Sequence, residues 1–166
     1  MKFTQNLLLF LFLSLPLMAQ TNSVNQMYDE LNSDPSVMAM SLGKEMITML
    51  NLDLPKDDKT VDKVVKGIDE IRVAVRKSSG GVRDESKTAI KEIALSHLSK
   101  LRYTTLPKPE ELKYQDVQIM VNGFGVTFSE CHIIYQDRAN EVLLSFFGKF
   151  ETADVKLLAD KLKAYR

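Results

Sequence analysis

The chain is 166 residues long and 45% apolar, with 22 basic against 22 acidic side chains and a formal net charge of zero. That length supplies one domain, with a core large enough to fold without disulfides or metal. Even charge argues against a nucleic-acid binder that works through a basic surface, and excludes a highly charged disordered tail. The single cysteine, Cys131, allows no internal disulfide.

In chain order, residues 1–19 come first. Lys2 gives a positive start, Leu7 to Met18 form an almost unbroken apolar run with Pro16 near its end, and Ala19 offers a small residue for cleavage. This pattern predicts a cleaved export signal. As a helix the apolar run reaches roughly 18 Å, short of a hydrocarbon core of about 30 Å, so no transmembrane span is expected. No cysteine lies at the cleavage point, and no lipid anchor is expected. The expected product is residues 20–166, a single domain in the periplasm or the medium.

Val24, Met27, Tyr28 and Leu31 recur at helical spacing and predict a first helix. After the Asp34-Pro35 turn, Val37 to Leu42 predicts a strand, and Gly43, Met46, Ile47 and Leu50 a short helix. Val61, Val64, Val65 and Ile68 predict another, with Asp57, Asp58 and Asp62 read as capping acids, not calcium ligands. Ile71, Val73 and Val75 alternate as a strand does, and Ser78 to Gly81 reads as a loop. The longest helix is predicted from Asp84 to Arg102, with Asp84 and Glu85 in its first turn. Tyr103 to Leu106 predicts a short strand. Val117, Ile119 and Val121 lead into Asn122-Gly123, read as a hairpin turn; Val126 to Tyr135 returns, and Glu141 to Phe150 completes an antiparallel meander. A last helix from about Thr152 would bury Val155, Leu158, Ala159 and Leu162. The predicted class is α+β, an antiparallel β-sheet of five to six strands with helices packed on one face.

Three segments carry a family resemblance: Val37-Met38-Ala39-Met40-Ser41 with the Met-rich stretch Lys44 to Leu50, then Ile68-Asp69-Glu70-Ile71-Arg72-Val73, then Val142 to Phe150 with the helix expected at Asp154 to Leu162. Together they resemble Domain of Unknown Function family 4252, over residues 33 to 164. The resemblance implies a small exported bacterial envelope protein in an envelope-stress or regulatory setting. It supplies no catalytic residues.

Candidate chemistry is sparse. Cys131 and His132 are neighbours on a predicted strand and point to opposite faces, so they do not form a nucleophile and base. Cys131 is expected as a small core hydrophobe, and His97 as a partly buried, hydrogen-bonded histidine. His97, His132 and Cys131 lack metal-ligand spacing. Asn122-Gly123-Phe124-Gly125 lacks the following helix that a phosphate loop needs. Met38 and Met40 share a strand face, Met46 and Met49 a helix side, and such thioethers suit Cu(I). The same positions match apolar stripes, which predicts core packing instead. Phe124, Phe128, Phe146, Phe147 and Phe150 load the C-terminal strands and are expected as core, with Phe124, Phe128 and Phe147 an interaction surface if one sheet face is incompletely covered. No catalytic residue and no cofactor is expected. The expected function is a non-catalytic protein-interaction or regulatory module of the bacterial envelope, its partner an envelope protein or an apolar ligand; the alternative is a carrier of an apolar small molecule or Cu(I).

Overall fold

The computed structural model describes residues 23–49, 66–77, 88–107, 116–136, 140–151 and 153–154. The expected leader, the helix expected around Val61 to Val65 with its Asp57, Asp58 and Asp62 caps, the Ser78 to Gly81 loop, Asp84 and Glu85, and the closing helix beyond Asp154 lie outside the described residues.

The elements are α1 (23–33), β1 (Met38–Gly43), α2 (Lys44–Met49), β2 (Ile68–Lys77), α3 (Ile90–Leu98), β3 (Thr104–Leu106), β4 (Asp116–Phe124), β5 (Thr127–Gln136) and β6 (Asn140–Glu151). The strands form one six-stranded sheet in the order β1-β2-β6-β5-β4-β3, with every neighbouring pair antiparallel. This is the α+β class expected from the sequence. β4, β5 and β6 are the predicted meander, and β2 docks on the free side of β6. The central strands read as apolar runs more than as alternations because both of their faces are covered: Cys131, His132, Ile133 and Ile134 are all buried.

Strand parity divides the core in two. On one face α1 and α3 pack Val24, Met27, Tyr28, Leu31, Ile90 and Ile93 against Ala74, Met120, Ile134 and Leu143. On the other, Ile68, Ile119, Cys131, Ile133, Phe146 and Phe150 form a second cluster, joined by Ile47 of α2. The expectation of helices on one face therefore describes α1 and α3, while α2 contributes to the opposite side. No helix among the described residues is long and apolar enough to cross a membrane.

Three local expectations are corrected. The β4–β5 turn is at Gly125-Val126, not at Asn122-Gly123, because Phe124 still pairs with Thr127. Gly125 takes the positive φ the turn requires (67°). Gly123 instead sits in a bulge, where a Cβ would lie 2.2 Å from the Thr127 carbonyl oxygen. Ile68 does not end a helix but opens β2, where it is buried.

α3 is also shorter than its apolar periodicity predicts, running from Ile90 to Leu98. Its start is fixed from across the fold. Ala89, at the N-cap, has no side-chain acceptor, and the Ile90 N–H donates 2.8 Å to Glu141 Oε2 of β6. Glu141 faces its register partner Arg76 of β2, whose Nη1 lies 3.3 Å from the same oxygen, while Nη2 reaches Asp34 Oδ2 at 2.7 Å. One nearly buried ion pair thus ties the exit of α1, the entry of α3 and two central strands.

Candidate functional site

The sequence candidates separate onto the two sheet faces. Cys131 lies in the cluster with Phe146 and Ile133, fully buried, and burial pushes its thiol up to about 12. A thiol so held is not a nucleophile at neutral pH. His132 points the other way, under α1, as the parity of adjacent strand residues requires. His97 of α3 places Nε2 2.8 Å from Glu30 Oε2 of α1, a partly buried brace between the two helices. Among the described residues no three His, Cys, Asp or Glu side chains gather as a metal site.

His132 instead belongs to a chain of buried hydrogen bonds that the sequence reading did not name. Ser145 of β6 stands directly opposite it in register, and both are completely buried. The Tyr28 hydroxyl of α1 donates to Ser145 Oγ at 2.7 Å and lies 3.2 Å from the Arg72 carbonyl oxygen. Ser145 Oγ is 2.7 Å from His132 Nδ1; His132 Nε2 is 3.3 Å from the Tyr103 hydroxyl and 3.5 Å from Glu130 Oε2. Tyr103 in turn donates to Glu130.

One proton arrangement satisfies every member. Tyr28 donates to Ser145, Ser145 to Nδ1, and the Nε2–H of a neutral imidazole points to Tyr103 and Glu130; this tautomer follows from the network. The charges agree with it. Burial lowers the His132 pKa more than the Glu130 contacts raise it, so the ring is neutral. Burial pushes Glu130 up, but hydrogen bonds from His132 and Tyr103 outweigh it and hold the carboxyl below the usual range.

The order serine, histidine, glutamate has the outline of a hydrolase triad, but its geometry suits bracing. Ser145 Oγ already accepts from Tyr28, and both Ser145 and His132 are completely buried. The signal for this chain was present: Ser145 is the one hydroxyl in the run Val142 to Phe147, at the parity of the face His132 occupies. What no periodicity shows is that Tyr28 and Tyr103, from distant segments, complete it.

Beside Tyr28 a polar groove of about 570 Å³ opens between α1 and the β1–β2 edge, lined by Asn25, Asp29, Asn32, Ser41, Glu70 and Arg72. Its polar groups largely satisfy one another. Arg72 holds Glu70 through Nε at 2.7 Å and Nη2 at 3.2 Å, gives Nη1 to Asn25 at 2.7 Å, and lies over the Tyr28 and Phe147 rings. The hydrogen bond from Arg72, more than any other influence, lowers the Glu70 pKa.

The structure separates the aromatic candidates. Phe128 is buried in the second core cluster and offers no surface, and Phe147 is half-buried between His132 and Arg72; the Phe124 side chain lies outside the described residues. The methionines reverse the core expectation. Met27 and Met120 are buried, whereas Met38 (67% exposed), Met40 (49%), Met46 (51%) and Met49 (83%) face solvent. Their apolar spacing resembled a core stripe because β1 is an edge strand and α2 turns only Ile47 inward.

A family model described as Domain of unknown function (DUF4252) matches residues 28–158. The chain belongs to this family. The matched region begins at Tyr28 and takes in all six strands, so every residue of the buried chain, the Arg76–Glu141 pair and the β1–α2 surface lies inside the family domain. No curated protein and no solved structure matches the chain.

Proposed function

We propose that the protein is an exported, non-catalytic interaction module of the bacterial envelope, which docks a protein partner on the surface formed by β1 and α2. The observation that carries this reading is the solvent exposure of Met38, Met40, Met46 and Met49 on two consecutive elements. Soluble domains keep such apolar patches where a partner covers them, and unbranched thioether side chains adapt to a partner's shape at low cost. The sealed Ser145–His132 pair and the buried, protonated Cys131 support a role without catalysis. Export is supported by the leader pattern of residues 1–19.

A photoreactive amino acid placed at Met46 in living cells tests this, with the same group at exposed Lys100, in the turn that follows α3, as the control. The expected result is a discrete protein adduct from position 46 and none from position 100. No adduct at 46, or the same adducts at both, overturns the reading. The alternative, a carrier of Cu(I) or an apolar molecule, draws on the same thioethers. Leucine at Met38, Met40 and Met49 keeps the apolar surface and removes the sulfur, so an adduct that survives it separates docking from metal binding.

A further inference from the structure

The two edges of the sheet are treated unequally. β3, at one edge, is only three residues long, a short edge of the kind that discourages pairing with another chain. β1, at the other, runs six residues, Met38–Gly43, in unbroken register with β2. It contains no lysine, no other charge, no proline and no bulge, so none of the usual devices that blunt an edge is present. Its outer row of backbone groups has no strand partner among the described residues.

From this we infer that β1 pairs antiparallel with β1 of a second copy of the chain, about a two-fold axis at Met40, joining two six-stranded sheets into one. This rests on the docking reading above and names its occupant. Directly opposed residues in an antiparallel pair share a sheet face. With Met40 opposite its own counterpart, Met38 faces Leu42 and Leu42 faces Met38, an all-apolar row, while the other face sets Ala39 against Ser41, two small residues that leave the approach clear. No ionisable group lies between Met38 and Gly43, so no like charges meet across the axis. The register also brings Met38 of one copy to the end of β1 where α2 of the other begins. An interface that matches itself in this way is the isologous contact of a two-fold dimer.

Sedimentation of the whole protein as its cells produce it is the test. The parent is expected to run at twice the chain mass and to dissociate on dilution. Met40→Lys, at a position half-exposed in the single chain, is expected to run as a folded monomer because it sets two ammonium groups face to face; Val126→Lys, the same change at the exposed β4–β5 turn, is expected to remain dimeric. Register is read by mild oxidation: Met40→Cys is expected to form an intermolecular disulfide and Met38→Cys to form none, with Cys131 silent because it is buried. A parent that stays monomeric at every concentration, a dimer that Met40→Lys leaves intact, or cross-linking through Met38→Cys alone overturns the inference. A monomer that still gives a foreign adduct at position 46 overturns the second copy and keeps the docking reading; a monomer with no adduct overturns both.

Discussion

Ser145 is a hydroxyl placed in the middle of an apolar strand, and such a group is tolerated only when its hydrogen-bonding roles are filled. Here both are. Its oxygen accepts from Tyr28 and its proton goes to His132 Nδ1, each at 2.7 Å. Ser145→Ala leaves Tyr28 the Arg72 carbonyl oxygen at 3.2 Å as a second acceptor, but removes the donor that faces Nδ1 in dry packing. The variant is expected to lose about 1–3 kcal/mol, the usual penalty for a stranded buried polar atom. The measurement is a urea unfolding curve, with a lowered midpoint and unchanged slope. A midpoint equal to the parent's would mean that the chain of hydrogen bonds contributes nothing net to stability.

At the scale of elements, β2 and β6 meet through a bulge between Ile68 and Glu70, where two glycine-containing segments approach closely. Gly148 has φ of 150°, and a Cβ there would lie 2.0 Å from the Gly67 carbonyl oxygen. Gly148→Ala should therefore cost more than about 1 kcal/mol. Gly43, at the β1–α2 junction, has no positive φ and open space around it, so Gly43→Ala should gain about 0.4–1 kcal/mol by narrowing the unfolded ensemble. Opposite shifts in melting temperature are the expected readout, and shifts of the same sign would contradict the geometry. These junctions also show which features the sequence could reveal. All six strands were legible because each carries its own apolar pattern. The hairpin turn lies three residues beyond the expected one because Asn122-Gly123 is a strong turn signal that the ladder overrides, pairing on to Phe124 and Thr127. The start of α3 was unreadable because its cap, Glu141, arrives from β6. Likewise, the exposure of Met38 and Met40 depends on β1 being an edge strand, which strand order decides and local pattern does not.

Across the whole molecule, the buried chain makes folding itself sensitive to acid. His132 is met by Glu130 from its own strand, Tyr103 from the segment before β3, Ser145 and Phe147 from β6 and the Arg72 charge from β2, with Tyr28 of α1 reaching it only through Ser145. Burial lowers its pKa from the ordinary 6.5, so below that value an unfolded chain binds a proton that the folded chain refuses. Stability follows the difference in bound protons: the contribution is complete above about pH 6.5 and falls as the pH drops from there toward the lowered folded value, by up to about 1.4 kcal/mol per pH unit for one proton. Glu130 and Glu70, whose pKa values are lowered from 4.5, have the same sign in a more acidic window: their contribution is present above about 4.5 and is lost as the pH falls through their folded values. The expected stability profile therefore declines in two stages, the first below 6.5 and the second below 4.5. Chemical denaturation measured at a series of pH values reads both. His132→Gln should flatten the first stage, whatever it does to the absolute stability, because the variant has no proton for the unfolded state to take up there; a first stage that survives the substitution unchanged would assign the acid sensitivity to another group.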